Sequence, residues 1–372
     1  MTDARHFLPL PSPFALHRGG YLSGARVAFE CWGRLSPGRD NAVLVFTGLS
    51  PSAHAASSEQ DPSPGWWEAM IGPGKAIDTE RWFVLCVNSL GSCFGSTGPA
   101  SPDPATGRPY RLGFPPLSLE DVAEAGFQVL RSLGIERLAA LVGPSMGGMS
   151  ALALLALHPG VARSAILIST ATAARPFAIA LRSLQRQAVL ADPAFADGGY
   201  RSEDLPLPGM LYARKLGMLT YRSPEEWRQR FGRRRAASAL SGDARMVGEF
   251  EVEAYLENRA AAFSNHFDPC CYLYLSRASD WFELAEHGAG DPVRPLARAR
   301  LERALVLGTS TDILYPLEQQ RELAENLRAA GCEVVFHALP SLQGHDAFLI
   351  DHERFAPPIA EFLNGLWRSI DR

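Results

Sequence analysis

One short stretch of the chain, 143–147 (Gly-Pro-Ser-Met-Gly), fits the pattern G-x-S-x-G. Between a strand and a helix, this pattern forms a nucleophile elbow, in which a strained turn holds the serine hydroxyl clear of the backbone. The context is present, because an apolar run at 138–142 precedes the turn and small and apolar residues at 146–157 follow it. We therefore predict that Ser145 is a nucleophile; the alternative is a structural serine in a glycine-rich turn.

A serine hydroxyl is too weak an acid to react unaided, so it needs a base and an acidic group that orients the base. Behind a nucleophile elbow, the acid precedes the histidine along the chain. Asp312 follows an apolar run at 303–307, and His345 follows another at 333–339. We predict that His345 is the base and Asp312 its partner, although loop aspartates also cap turns and most histidines are structural.

Acyl transfer also requires two N–H groups that bind the developing oxyanion. Met146 directly follows the nucleophile and supplies the first. The segment Gly48-Leu49-Ser50-Pro51 follows an early apolar run at 42–47, and the N–H of Leu49 is the simplest second donor. The alternative for this segment is an ordinary turn at the end of a strand.

The apolar pattern predicts the elements that would position these residues. Strand-like runs at 26–32, 42–47, 82–87, 138–142 and 165–169 alternate with helical patterns, which is typical of an α/β fold with a mostly parallel sheet. The strand signals stop after Thr170 and return at 303–307 and 333–339, and a final helix is expected at 355–370. We predict a catalytic domain formed by 1–170 and 301–372, with a helical lid inserted at 171–300.

Composition excludes several other classes of protein. The 372 residues are 47% hydrophobic and 20% charged, which is typical of a folded globular chain, and the net charge of −4 offers no general attraction for nucleic acid or acidic lipid. The six cysteines form no CxxC pair, and no apolar run approaches the ~20 residues of a membrane helix. We expect a cytoplasmic protein with reduced thiols and no nucleic-acid or membrane partner.

Six longer sequence motifs surround or accompany these residues and resemble those of a known family. They are GPSMGGM from 143, NSLGSCFGSTGPASPDPATGRPY from 88, FEVEAYL from 250, FDPCCYLYLSRASDWFEL from 267, TDILYP from 311 and GHDAFL from 344. From about Pro11 to the end, the chain resembles the MetX-type amino-acid O-acyltransferases, the homoserine O-acetyltransferase family. The resemblance implies an α/β-hydrolase fold, an acyl-CoA as co-substrate and an amino-acid hydroxyl as acceptor, without a metal or bound cofactor. It also implies a homodimer that forms through the helical insertion.

The same resemblance assigns roles to individual residues. Ser145 matches the family's acylated serine, and Asp312 and His345 match its acid and base. Arg214, in ARKLGMLTYRS, matches the arginine that binds the acceptor, and Asp346 matches the aspartate after the catalytic histidine. These two residues are therefore expected to hold the carboxylate and the ammonium group of the acceptor amino acid.

The chain departs from the acetyl-transferring members at three places: TGLSPSAHA at 47–55, SLED at 118–121 and Arg182 in IALRSLQRQA. These segments look most like the succinyl-transferring branch that acts on L-serine and supplies cysteine synthesis. Arg182 would bind the free carboxylate of a succinyl group, unless it is a solvated helical arginine. Residues 48–51 would set the depth available to the acceptor.

Three alternatives remain at this point. The first is a homoserine O-succinyl- or O-acetyltransferase of methionine synthesis, because serine and homoserine differ by one methylene group. The second is a carboxylesterase, which would use the same triad. The third is a non-catalytic binding module, which would usually lack a triad residue.

Overall fold

The computed structural model describes residues 4–205, 207–236 and 248–370. Twelve β-strands lie in these ranges: β1 (His6–Pro9), β2 (Phe14–Ala15), β3 (Tyr21–Leu22), β4 (Arg26–Trp32), β5 (Ala42–Phe46), β6 (Ile71–Gly72), β7 (Ile77–Asp78), β8 (Phe83–Val87), β9 (Leu138–Pro144), β10 (Ala162–Ile168), β11 (Arg303–Thr309) and β12 (Glu333–Leu339).

Eleven α-helices lie in the same ranges: α1 (Leu119–Ser132), α2 (Met146–Leu157), α3 (Pro176–Leu190), α4 (Pro208–Tyr221), α5 (Pro224–Phe231), α6 (Glu251–Ser264), α7 (Pro269–Trp281), α8 (Val293–Ala299), α9 (Leu317–Ala329), α10 (Ala347–Ile350) and α11 (His352–Ile370).

The main sheet has eight strands in the order β1-β4-β8-β5-β9-β10-β11-β12. The pairs β1–β4 and β4–β8 are antiparallel, and every pair from β8 to β12 is parallel. The carboxyl ends of β9, β11 and β12 therefore meet at one edge, where loops carry binding and catalytic groups in α/β sheets. The predicted α/β fold with a mostly parallel sheet is confirmed.

Two apolar cores cover the two faces of this sheet. In β5 every residue is buried, with Leu44 and Phe46 in one core and Val43 and Val45 in the other. The first core also takes in α1, α2, α8 and α9, and the second takes in α11. Burial on both faces explains why the central strands are nearly continuous apolar runs rather than alternating ones.

The inserted segment connects β10 to β11. Between these strands, the described residues form six α-helices, α3 to α8, and add no strand to the main sheet. The backbone of Leu284 donates to Thr172 O at 2.8 Å, so the segments that leave and re-enter the sheet domain meet at this point. The helix α8 packs against α2 and α9 of the sheet domain, whereas α3, α4, α6 and α7 pack on one another.

In the described ranges, no helix has both the length and the apolar character needed to cross a bilayer. The six cysteines are all free thiols.

Candidate active site

The turn after β9 has the geometry of a nucleophile elbow. Ser145 adopts φ 54° and ψ −125°, a left-handed conformation that a residue other than glycine rarely takes and that marks a functional site when it is observed. Its N–H donates to Ile168 O at 2.8 Å, and its carbonyl accepts from Thr170 Oγ1 at 2.7 Å. These bonds to the end of β10 hold the strained residue in place.

Steric constraints explain why glycine occupies positions 143 and 147 of the motif. A Cβ at Gly143 would lie 2.4 Å from Gly147 O, and one at Gly147 would lie 2.4 Å from Phe46 O. Both distances are shorter than van der Waals contact allows, so only glycine lets α2 begin this close to β9 and β5. The close approach places the loop after β5 beside Ser145.

Asp312, His345 and Ser145 form one hydrogen-bonded chain. The distance from His345 Nε2 to Ser145 Oγ is 2.7 Å, and the distance from His345 Nδ1 to Asp312 Oδ2 is also 2.7 Å. The other carboxylate oxygen, Oδ1, accepts the backbone N–H groups of Leu314 and Tyr315, each at 2.9 Å. The structure thus brings together the three residues that the sequence predicted, in the arrangement that nucleophilic catalysis by serine requires.

Several opposing influences act on the pKa of His345, which is buried. Burial alone would lower it, whereas the charge and hydrogen bond of Asp312, together with the charge of Asp346, raise it; Arg182 opposes that rise. The net effect is a pKa above the ordinary value of 6.5. A base with a raised pKa holds the serine proton more strongly in the transition state, but it is neutral only at higher pH.

The expected oxyanion donors both border the site. Leu49 and Met146 line the cavity above Ser145, together with Gly48, Ser50 and Pro51. Within the described ranges, the N–H groups of Leu49 and Met146 donate to no protein acceptor. Both are therefore free to bind an oxyanion, and Met146 is also the first residue of α2, where the helix dipole favours negative charge.

Comparisons with known proteins agree with this geometry. The model of the α/β hydrolase fold family matches residues 41–349. A serine O-succinyltransferase from Frateuria aurantia is 60% identical over 367 residues, which cover 98% of this chain and 100% of that protein. An L-serine/homoserine O-acetyltransferase from Streptomyces lavendulae is 58% identical and covers 98% of both chains. This chain belongs to the MetX-type acyltransferase family of the α/β hydrolase fold.

Solved structures support the same assignment at lower identity. The crystal structure of homoserine O-acetyltransferase from Bacillus anthracis is 25% identical to this chain, covers 97% of both chains and has a TM-score of 0.88. The expected resemblance to the MetX-type family and the expected fold are therefore confirmed.

The inner cavity of this family member lies directly over Ser145 and has a volume of about 160 Å³. Besides the triad and the 48–51 loop, it is lined by side chains of the inserted helices, among them Arg182, Gln185, Arg214 and Tyr272. The cavity has room for a short acyl chain and a small amino acid, but not for a nucleotide.

Arg182 lies in the wall of this cavity and is buried, so it is not a solvated arginine. It is 7% exposed, and its Nε donates to Asp280 Oδ1 at 2.5 Å. Asp280 also accepts from Arg186 at 2.6 Å, which leaves two guanidinium groups around one carboxylate. Arg182 Nη2 is buried and has no hydrogen-bond partner among the described residues. A buried donor of this kind is costly unless a ligand satisfies it.

Arg214 and Asp346, the two residues expected to hold the acceptor, both border the inner cavity. The guanidinium of Arg214 lies 4.2 Å from the centre of the Phe263 ring, and its Nε is buried without a partner among the described residues. Asp346 is already bound through Oδ2 to Arg222 Nε, at 3.1 Å. An ammonium group at Asp346 would therefore share the carboxylate with Arg222.

A larger outer cavity of about 810 Å³ adjoins the inner one, because Arg214, Tyr221 and Asp346 line both. Its remaining wall contains three arginines (Arg222, Arg230 and Arg259), one glutamate (Glu226) and three aromatic residues of α5 and α6 (Trp227, Tyr255 and Phe263). Arg222 and Arg230 both pair with Glu226 at 3.4 Å, whereas Arg259 has no carboxylate partner in the described part of the chain. The outer cavity is therefore basic and partly aromatic.

Sequence reasoning missed three groups that shape the site. Tyr315 stacks on His345 with ring centres 5.3 Å apart, Asp280 positions Arg182, and Arg222 pairs with Asp346. The only available signal for Tyr315 was its place three residues after Asp312. Asp280 and Arg182 are 98 residues apart, and Arg222 and Asp346 are 124 residues apart, so no local pattern links either pair.

Proposed function

We propose that this protein transfers a succinyl group from succinyl-CoA to the hydroxyl of L-serine, which gives O-succinyl-L-serine for cysteine synthesis. The observation that carries the proposal is a complete serine–histidine–aspartate chain at the floor of a small cavity whose wall contains Arg182, whose Nη2 has no hydrogen-bond partner among the described residues. The name and 60% identity of the Frateuria aurantia relative support the same reaction.

In the first half-reaction, Ser145 Oγ attacks the thioester carbon while His345 Nε2 takes its proton. The N–H groups of Leu49 and Met146 bind the oxyanion of the tetrahedral intermediate. The C–S bond then breaks, and His345 returns the proton to the departing sulfur. Free CoA and a succinyl ester on Ser145 result.

In the second half-reaction, L-serine enters with its carboxylate on Arg214 and its ammonium group near Asp346. His345 removes the proton of the substrate hydroxyl, which attacks the ester carbon. The bond to Ser145 Oγ breaks, and His345 returns the proton to that oxygen. Because free CoA leaves before the acceptor reacts, the kinetics should be ping-pong.

The choice of donor rests on Arg182. A succinyl group differs from an acetyl group by a terminal carboxylate, and enclosing that charge without a partner would be costly. Arg182 lines the inner cavity, and its Nη2 is buried and has no hydrogen-bond partner among the described residues. The salt bridge to Asp280 keeps the guanidinium in place for a charge-assisted hydrogen bond.

The outer cavity suits the remainder of the donor. It adjoins the cavity that holds the acyl group, and its volume of about 810 Å³ lies within the range of small-molecule and cofactor sites. Arg259 can pair with a phosphate, and the aromatic side chains of Trp227 and Tyr255 lie on the same wall. We propose that the nucleotide of the acyl-CoA lies here, as a co-substrate, and that the reaction uses no metal or bound cofactor.

Replacing Arg182 with asparagine should lower the use of succinyl-CoA relative to acetyl-CoA. A hydrogen bond to a charged group contributes about 1.5–3 kcal/mol, so the ratio of kcat/KM for succinyl-CoA over acetyl-CoA should fall roughly 10- to 100-fold. The matched control is Arg259→Ala in the outer cavity, which should weaken both donors by the same factor because they share the nucleotide. Initial rates with both donors measure the ratio. An unchanged ratio in Arg182→Asn would remove Arg182 from donor recognition.

Acceptor choice depends on the depth between Arg214 and the thioester carbon. The 48–51 loop forms part of the wall around Ser145, and Pro51 stiffens it, so the space for the acceptor is set by the backbone. Homoserine has one more methylene group than serine, and a fixed cavity discriminates a methylene by about 1–3 kcal/mol. The name of the Frateuria aurantia relative supports L-serine as the acceptor that this space fits.

The proposal is tested by crossing succinyl-CoA and acetyl-CoA with L-serine and L-homoserine and identifying the products by mass spectrometry. The pair succinyl-CoA and L-serine should give the highest kcat/KM, at least roughly tenfold above L-homoserine. The Streptomyces lavendulae relative favours one second candidate, an acetyltransferase that accepts both amino acids. That candidate requires acetyl-CoA to be the better donor. Free succinate formed at a rate independent of any amino acid would instead indicate an esterase.

The inserted helices also fit a lid that protects the acyl-enzyme from water. Leu181, Arg182 and Gln185 of α3 and Arg214 and Tyr221 of α4 all line the cavity over Ser145. We propose that residues 171–300 form this lid over the catalytic domain of 1–170 and 301–372. Exclusion of water explains how one triad can transfer an acyl group instead of hydrolysing it.

The same two helices expose apolar side chains on their outer surface. Phe177 and Leu184 of α3 are 58% and 55% exposed, and Tyr212 and Leu219 of α4 are 63% and 48% exposed. Residues seven positions apart share one face of a helix, and α3 packs directly on α4. We propose that this face joins two copies of the chain in a homodimer.

The remaining expectations concern the cellular compartment of the protein and its binding partners. Six free thiols suit a reducing compartment, and both proposed substrates are small molecules. We propose a cytoplasmic enzyme whose partners are the acyl-CoA, L-serine and a second copy of the chain.

A further inference from the structure

Two histidines and a glutamate meet at a site outside both cavities. His17 lies in the N-terminal segment, Glu120 in the first turn of α1, and His287 on the 3-10 turn Leu284–Gly288. None of the three lines the inner or the outer cavity. The catalytic account therefore gives this cluster no role.

The side chains converge on one point. His287 Nε2 lies 3.0 Å from Glu120 Oε1, and His17 Nε2 lies 4.0 Å from the same oxygen. The centres of the two imidazole rings are 5.7 Å apart. One ligand atom from each of the three residues lies within 4.8 Å of the others, so a single ion can reach all three after small side-chain movements.

One oxygen of the buried Glu120 carboxylate has no hydrogen-bond partner among the described residues. Glu120 is 1% exposed, and its Oε2 is buried without a hydrogen-bond partner among the described residues. A buried carboxylate oxygen without a partner is costly, and a bound cation would offset that cost. A backbone hydrogen bond already holds His17 beside α1, because His17 N donates to Asp121 Oδ1 at 2.7 Å.

We propose that His17, Glu120 and His287 bind one divalent transition metal ion of the Zn²⁺ type. Two imidazole nitrogens and one carboxylate oxygen form a common donor set for such ions, with water in the remaining position, whereas Mg²⁺ and Ca²⁺ prefer oxygen ligands alone. The imidazoles would bind the ion as neutral rings.

The position of the site suggests a structural effect. His287 lies on the segment that returns from the inserted helices, close to the bond from Leu284 N to Thr172 O. A metal ion at this point would fix the base of the insertion to α1 and to the N-terminal segment. Stabilisation of the native fold is therefore expected, while the distances within the triad stay the same.

The test uses the full chain without a histidine tag, after treatment with a chelator, near neutral pH. Addition of Zn²⁺ should give binding of one equivalent by calorimetry and a higher Tm. Co²⁺ should give visible absorption typical of nitrogen and oxygen ligation. His17→Asn removes one ligand at a partly exposed position, so the variant should fold and bind Zn²⁺ at least roughly tenfold more weakly.

Two further variants make the outcome decisive. Glu120→Gln keeps a hydrogen-bonding group beside His287 but removes the charge, and should weaken binding as much as His17→Asn. His158→Gln is the matched control, because His158 pairs with Glu124 at 2.7 Å, where no second histidine is near among the described residues. It should bind Zn²⁺ as the wild type does. Absence of stoichiometric binding to the wild type, or unchanged affinity in either of the first two variants, would overturn the proposal.

Discussion

Replacing Ser145 with alanine is expected to lower kcat/KM for succinyl transfer by roughly 10⁵- to 10⁶-fold, because the triad acts as a unit and the nucleophile is one of its indispensable groups. The change removes one oxygen atom from the elbow and keeps α2 in place. His345 and Asp312 remain paired in the variant, but they have no hydroxyl to activate. Release of free CoA from succinyl-CoA, followed with a thiol reagent, measures the loss.

The matched control for this change is Ser150→Ala. Ser150 lies further along α2, is fully buried where Ser145 is half-buried, and donates to Met146 O at 3.2 Å. Its removal should leave the rate within a few-fold of the wild type. If Ser145→Ala kept a comparable rate, another group would have to be the nucleophile.

Replacing Asp312 with asparagine is expected to lower kcat by about 10⁴-fold. An asparagine oxygen can still accept from Leu314 N and Tyr315 N, as Oδ1 of the aspartate does at 2.9 Å. The amide NH₂ would then face His345 Nδ1 and favour the tautomer that carries its proton on Nε2. In that tautomer, Nε2 cannot accept the proton of Ser145.

Asp103→Asn provides the control for Asp312→Asn. Asp103 caps a turn in the same manner, accepting from Ala105 N at 2.9 Å, but it lies outside both cavities. It should retain full activity, and both variants should unfold at the wild-type temperature. A loss of less than about tenfold in Asp312→Asn would contradict the assigned role of the carboxylate.

The pH profile gives an independent readout of the same pair. Activity requires neutral His345, whose pKa is raised above 6.5 mainly by Asp312 against the lowering effect of burial. The acid limb of kcat/KM should therefore have its midpoint above pH 6.5, with activity increasing as the pH rises. In Asp312→Asn the raising charge is gone and burial remains, so the midpoint of the residual activity should move to lower pH.

The triad could be predicted from sequence because each member is marked by local signals. Ser145 stands in a motif between a strand and a helix, and Asp312 and His345 each follow an apolar strand. Parallel strands end at one edge of the sheet, so the order of elements was enough to bring the three together. The strands β4 and β12 were predicted at their observed bounds, Arg26–Trp32 and Glu333–Leu339, and the predicted strands between them differ by a few residues at their ends.

The contacts of the inserted helices could not be predicted in this way. The burial of Arg182 depends on Asp280, and one oxygen of Asp346 is occupied by Arg222. These pairs join residues that are distant in sequence, and a helical pattern fixes which face of a helix is apolar but not which helix it meets. The cluster of His17, Glu120 and His287 escaped sequence reasoning for the same reason.

The role of Arg182 was an open choice in the sequence, since many helical arginines are solvated. Packing decided it: the side chain is 7% exposed and faces the cavity over Ser145. The direction of a long side chain depends on its neighbours in three dimensions, and those neighbours belong to α7 and to the loop after β11.

The most direct test of the central claim mixes the wild-type protein with succinyl-CoA in the absence of any amino acid, stops the reaction with acid, and measures the intact mass and the peptide map. The account predicts one equivalent of free CoA, one succinyl group attached to the peptide that contains Ser145, and loss of that group when L-serine is added before the acid. Absence of a covalent adduct at every time during turnover, or an adduct on a residue other than Ser145, would contradict it.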